Sequence, residues 1–199
     1  MFSISVKADT KPAVDYLNKI AKGLGDKAVT SALNKTMAQA RTQMIRGITS
    51  EYAISAATVR ERLQLKRASR AGMQFTATLI GNPAGRAKRA MNIIRFLEKS
   101  VSLAQARKRR KAGTLGALRF KIKRAGGMQT IQGAFIGNNG RTVFRRTGKA
   151  RLPIEAVSTI GVPSMFQARK VQIPIQRWIS ENFGRIFDRE TRYFLSTIK

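Results

Sequence analysis

Apolar and polar residues alternate along this chain with two different periods, and the switches between them divide it into regions. Phe2, Ile4 and Val6 alternate with Ser3, Ser5 and Lys7, which predicts a short strand over Phe2–Lys7. The period then lengthens. Asp9 or Thr10 stands where a helix cap belongs, Pro12 falls in the first turn, and Val14, Leu17, Ile20 and Ala21 return on one face. After Gly23 and Gly25, Asp26 is placed to cap a longer helix in which Val29, Leu33, Met37, Ala40, Met44 and Ile48 recur at helical steps. Lys27, Asn34, Lys35, Gln39 and Arg46 take the opposite side, so the apolar stripe reads as core packing. Ser55 caps a further short helix that runs to Leu63.

From Gln64 onward the period returns to two. Met73, Phe75, Ala77 and Leu79 alternate with Gln74, Thr76 and Thr78 until Gly81-Asn82-Pro83 closes the strand. Residues 83–116 form a basic, weakly patterned insertion, part of it expected as a mobile loop, around one apolar run, Ile93-Ile94-Arg95-Phe96-Leu97. Leu118, Phe120 and Ile122 then alternate with Arg119, Lys121 and Lys123, giving a strand with one apolar face and one row of cations. Gly126-Gly127 and Asn138-Asn139-Gly140 punctuate a meander of hairpins through Thr147, and Leu152–Gly161 supplies another strand. Pro163 opens the C-terminal segment, where Ile175, Ile179, Phe183, Ile186, Phe187, Phe194 and Ile198 keep approximate helical spacing. Pro174 must lie near a helix start or at a kink, because an interior proline removes a backbone hydrogen bond.

This order predicts an α+β fold: an antiparallel meander packed against a long N-terminal helix and a C-terminal helix. At 199 residues the default is a single domain over 1–199, with a helical region at 26–63, a β-rich core at 64–161 that carries the 83–116 insertion, and a C-terminal helical segment at 162–199.

Charge changes the picture more than hydrophobicity does. Lys and Arg number 39 against 10 Asp and Glu, a formal charge of +29 whose self-repulsion opposes compaction unless an anionic partner or a subunit ring supplies counter-charge. Nineteen of the cations fall between Arg86 and Arg151, where Glu98 is the lone acid, so this third of the chain carries +18 of the total. The candidate polyanion contacts are the cluster Arg107, Lys108, Arg109, Arg110 and Lys111, the strand and turn residues Arg119, Lys121, Lys123 and Arg124, and the pair Arg145 and Arg146. The same cations would also suit a solvated loop and an exposed sheet face. Phe120, Phe135 and Phe144 could serve as base-stacking platforms, but their strand positions point to packing.

The residue inventory argues against an enzyme. With no Cys and no His, thiol nucleophiles, imidazole bases and Cys-rich zinc sites are excluded together. The ten carboxylates are scattered; Asp188 and Glu190 are neighbours in sequence, but two-residue spacing on a helix does not set them side by side. Glu98 reads as a partner for nearby arginines rather than as a metal ligand. The glycine clusters fit neither a P-loop nor a dinucleotide fingerprint. No catalytic residue, metal or cofactor is expected. No secretory signal or membrane-length apolar stretch is present, giving the expectation of a soluble protein made in the cytosol.

Several short blocks carry a family resemblance: Ala32-Leu33-Asn34-Lys35-Thr36, Val59-Arg60-Glu61-Arg62-Leu63 with Lys66-Arg67-Ala68, Gly133-Ala134-Phe135-Ile136, and Arg145-Arg146-Thr147-Gly148-Lys149 leading to Leu152-Pro153-Ile154-Glu155-Ala156-Val157 and Val162-Pro163. From about Ala28 to Met165 the chain resembles the minor tail protein Z family, the tail-completion proteins of lambda-like long-tailed bacteriophages. The resemblance implies a structural virion component at the head-proximal end of the tail, the neck or connector region, needed for head–tail joining and for placing the DNA end. It implies other tail and neck proteins as partners: a tail terminator or tube, the tape-measure protein, and the phage DNA end, with assembly in the host cytoplasm and no membrane. By looser analogy with tail-terminator and head–tail joining proteins it implies a homo-oligomeric ring, a hexamer. The insertion around Ala84 to Leu103 departs from the family pattern and is expected as a subunit-contact arm. A free basic DNA- or RNA-binding protein is the alternative.

Overall fold

The computed structural model describes residues 2–7, 10–71, 74–81, 90–98, 118–148 and 150–198. Strand β1 (Phe2–Lys7) forms where the alternation predicts it, and helix α1 (Lys11–Ile20) follows with Pro12 in its first turn. Thr10 occupies the cap position without a side-chain capping bond, and the buried face narrows to Val14 and Leu17, because Ile20 remains half exposed.

Helix α2 (Leu24–Glu51) begins three residues earlier than a cap at Asp26 would place it. Gly23, at φ +76°, takes the left-handed conformation that turns the chain between the helices. The capping acceptor comes from the preceding helix: Asn18 Oδ1 accepts the Gly25 N–H at 2.9 Å, and Asn18 Nδ2 donates to Asp26 Oδ1. Gly25 is required for a second reason, since a Cβ there would stand 2.6 Å from the Val14 carbonyl oxygen. The helices can cross this closely only without a side chain. Along α2 the predicted stripe is the core: Val29, Leu33, Met37, Ala40, Met44 and Ile48 are fully buried.

Ser55 caps α3 (Ala56–Glu61), its hydroxyl accepting the Thr58 N–H, but the helix stops short of Leu63 because that residue enters strand β2 (Leu63–Ala71). The run from Gln64, expected as one strand closing at Gly81, thus makes two strands. The pairing of β2 with β3 (Gln74–Gly81) shifts register between Lys66 and Ser69, and the irregularity breaks the two-residue period that would have announced the division. With β1 the two strands make an antiparallel sheet in the order β1-β3-β2.

The remaining strands are short. β4 (Ala90–Asn92) leads into a 3-10 turn (Ile93–Phe96) that buries Ile93 and Phe96 in the same core as α2. Within the insertion at Ala84 to Leu103, expected as a subunit-contact arm, the described run Ile93–Leu97 thus packs inward through Ile93 and Phe96, while residues 84–89 and 99–103 lie outside the described residues. β5 (Arg119–Phe120) pairs with β6 (Gln129–Thr130). β7 (Ala134–Gly137), β8 (Thr142–Arg146) and β9 (Ile154–Ala156) form a three-stranded antiparallel sheet, with the expected Asn138-Asn139-Gly140 turn between the first two. The segment Leu152–Gly161, expected as one strand, divides at Val157: β9 stays on β8, while β10 (Ser158–Ile160) crosses to pair with β4. Val157 holds the switch, donating to Val143 and accepting from Ile93 through its backbone. The α+β class holds, with the described strands divided among four small antiparallel sheets.

A short helix, α4 (Val162–Gln167), precedes the C-terminal helix α5 (Arg169–Ser196). Pro174 lies in the second turn of α5, and the carbonyl it leaves without its helical donor belongs to exposed Lys170, where water can serve. α5 runs antiparallel to α2, since Gly47 faces Val171 and Ile175 at one end while Ser31 and Lys35 meet Glu190 near the other. No described helix is long and apolar enough to cross a membrane.

Candidate polyanion-binding surface

The cationic strand is held from several sides although it is short. Arg119 pairs with Thr130 on β6, and on the other edge the Arg119 carbonyl accepts the Glu98 N–H while Lys121 N–H donates to Phe96. Leu118 and Phe120 turn into the core, and Phe120 is fully buried. Alternation then requires Arg119 to face outward, and Arg119 and Lys123 are exposed, with Lys121 half-buried between them. Arg119 Nε lies 3.8 Å from Glu98 Oε2, the arginine partnership expected for that acid. At this length and exposure the pair contributes little and leaves most of the guanidinium free.

Beyond β5 the chain closes the C-terminal end of α2. Ala53 N–H donates to the Ile122 carbonyl, Arg124 N–H donates to the Glu51 carbonyl, and Arg124 Nε donates to the Thr49 carbonyl at 2.6 Å. The last carbonyls of a helix lack intrahelical donors and carry partial negative charge, so a guanidinium is a favourable cap for them. α2 has no basic residue in its own last turn; Arg124 supplies the charge from elsewhere in the chain. Among the candidate contacts, then, Arg124 has a structural duty that Arg119 and Lys123 do not.

Arg145 and Arg146 are both exposed but, as neighbours on β8, point to opposite faces of its sheet. Arg145 stands opposite Glu155 on β9, while Arg146 stands opposite Ile154 and lies 5.1 Å from the centre of the Phe135 ring. Phe135 and Phe144 occupy opposed positions and stack at 5.9 Å, so these two rings are engaged with each other and with Arg146. Phe120 packs in the core, as its strand position suggested. The cluster Arg107, Lys108, Arg109, Arg110 and Lys111 lies outside the described residues. A cleft of about 480 Å³ adds a further concave basic surface, bordered by Arg62, Arg95 and Arg141 with Glu61 as its acid. Among the described residues no group of three or more His, Cys, Asp or Glu could hold a metal ion.

Two polar residues that organise this architecture were not singled out beforehand. Asn92 accepts the N–H groups of Val143 and Ile94 and donates to the Val143 carbonyl, fastening the 3-10 turn to β8. Glu190, only 2% exposed, receives hydrogen bonds from Ser31, Lys35 and Arg189. Burial alone would push its carboxyl up; the bonds from Lys35 and Ser31, the Lys35 charge and the Arg189 bond outweigh that and hold it below the ordinary glutamate value. Its sequence signal was its place on the stripe of Ile179 and Ile186, where an apolar residue belongs.

The fold and surface together define a class: a helix-centred α+β chain whose thin β layer presents cations. The profile of the prophage minor tail protein Z (GPZ) family matches residues 8–197, and the chain belongs to that family. It is 30% identical over 165 residues to the tail completion protein of Escherichia phage N15, covering 81% of this chain and 82% of that one. No solved structure matches it. The chain is thus a phage tail completion protein, a virion component.

Proposed function

We propose that the protein completes the head-proximal end of the tail, in the neck or connector region, and supports both head–tail joining and placement of the DNA end. The observation that carries this reading is the outward row at β5. Because Leu118 and Phe120 are fixed in the core, Arg119 and Lys123 are held toward solvent in a stretch of sequence that contributes +18 with one acid. Cations on a braced strand can meet phosphates without reading sequence, and each contact releases condensed counterions, so binding weakens steeply with salt. A homo-oligomeric ring, a hexamer, would repeat this row around the channel through which DNA passes, against a tail terminator or tube and the tape-measure protein. Assembly would take place in the host cytoplasm before the tail joins the head.

Purified tails test the proposal directly. Antibody labelling and quantitative mass spectrometry should find the protein at one tail end in fixed copy number, and tails lacking it should fail to join filled heads. Detection only as free protein in infected-cell lysate, never in particles, would favour a free basic DNA- or RNA-binding protein instead.

A further inference from the structure

A second basic site lies in a groove of about 420 Å³ between one face of α2 and α3, reached from the 119–124 segment at Thr49, whose carbonyl Arg124 caps. Its cations are Arg41, Arg46 and Arg60, and its described lining residues include no carboxylate. Ala38, Ile45 and Leu65 make its apolar part. The spacing on α2 explains the grouping: positions 38, 41, 42, 45, 46 and 49 all return to one side of a helix, so Arg41 and Arg46 flank Ile45.

Arg41 is the informative residue. One of its terminal nitrogens donates to the Arg60 carbonyl at 3.2 Å, tying α2 to α3, while its Nε is buried and has no hydrogen-bond partner among the described residues. Buried donors without acceptors are rare because each forfeits its hydration. Nε itself is closed to a ligand, but Arg46 and Arg60 beside it are exposed with no carboxylate in the lining, and the group that suits such a set of guanidiniums is an oxyanion. The apolar lining selects among sources of that oxyanion: a nucleic-acid backbone would leave exposed Ala38 and half-buried Leu65 uncovered, whereas Glu or Asp beside an aliphatic neighbour covers both kinds of surface.

We infer that this groove binds an acidic, partly apolar segment of a neighbouring protein, with a carboxylate held by Arg41, Arg46 and Arg60. It is a protein contact distinct from the polyanion face, and does not depend on that face's role.

The test uses the full chain and two labelled probes: a short peptide of alternating Glu and Leu, and a short DNA duplex. Arg46 and Arg60 have no side-chain bond within the described chain, so the double variant Arg46→Gln/Arg60→Gln should melt as the parent does. The expected result is peptide binding weakened about tenfold or more with duplex binding changed less than about twofold. Neutralising Arg119, Lys121 and Lys123 should give the reverse pattern. Failure of the parent to bind the peptide, or peptide binding unchanged in the double variant, would overturn the inference. So would an equal loss for both probes, which would make the groove a phosphate site.

Discussion

The α2–α5 pair and the β layer around residues 118–156 are built on opposite terms. α2 buries ten apolar residues along one side and meets α5 over most of its length, with Glu190 bonded to Ser31 and Lys35 near one end. In the β layer, Phe120 and Val143 are the fully buried side chains, and β9 exposes every residue. The layer keeps its shape chiefly through backbone pairing and through bonds to α2 and the 93–96 turn. The difference shows a division of labour. Stability is concentrated in the helix pair, where five acids stand beside ten cations; the β layer sets nine cations against Glu155 alone, and few apolar contacts depend on them, so cations there can be changed at little cost to folding.

That division can be broken most severely in the helices. Leu33→Ala should cost about 3 kcal/mol in urea unfolding, whereas Phe144→Ala, on the half-exposed face of β8, should cost about 1 kcal/mol. Equal losses would show that the layer is as much a core as the helix pair.

Glu190→Gln should come next, at about 2 kcal/mol, below the usual cost of breaking a buried pair because Lys35 is 50% exposed. It also has a pH signature. The folded carboxyl has the lower pKa, so as pH falls the unfolded chain takes up the proton first. The stabilisation is complete above the ordinary glutamate value and is lost as pH drops through the lowered one; the Gln variant should show a flatter acid limb when melting temperature is followed against pH.

Arg124→Gln joins the two regions at a smaller scale. Losing the guanidinium at Thr49 should cost about 0.5–1 kcal/mol and raise amide exchange in the last turn of α2. The smallest stability effect belongs to the triple neutralisation Arg119→Gln/Lys121→Gln/Lys123→Gln, within about 0.5 kcal/mol of the parent by thermal melting. Its effect on duplex binding should nevertheless be large at low salt and shrink as salt rises, the mark of lost phosphate contacts.

The same contrast decides what could be read beforehand. The α2 stripe was legible because a helix buries a fixed face and Val29, Leu33, Met37, Ala40, Met44 and Ile48 obey its period. Ser55 was legible as a cap because capping is local. The division of the run from Gln64 into β2 and β3 was not, since the irregularity at Lys66–Ser69 interrupts the alternation. Nor was the fate of Ile93 and Phe96, which depends on contacts far away in sequence. In the candidate surface, Arg119 and Lys123 were legible from alternation with Leu118 and Phe120. The capping role of Arg124 was not, because it is fixed by a carbonyl on α2 seventy-five positions away. Arg145 and Arg146 were grouped as neighbours although a strand sends neighbours to opposite sides.

The closure of α2 by the 122–124 segment also has a mechanical meaning. A pull on the cations there would not stretch a loop; it would enter the 28-residue helix at its C-terminal end and travel about 42 Å along its ladder of amide bonds. α2 is then a strut, and tension applied at these cations would be shared with the antiparallel helix beside it.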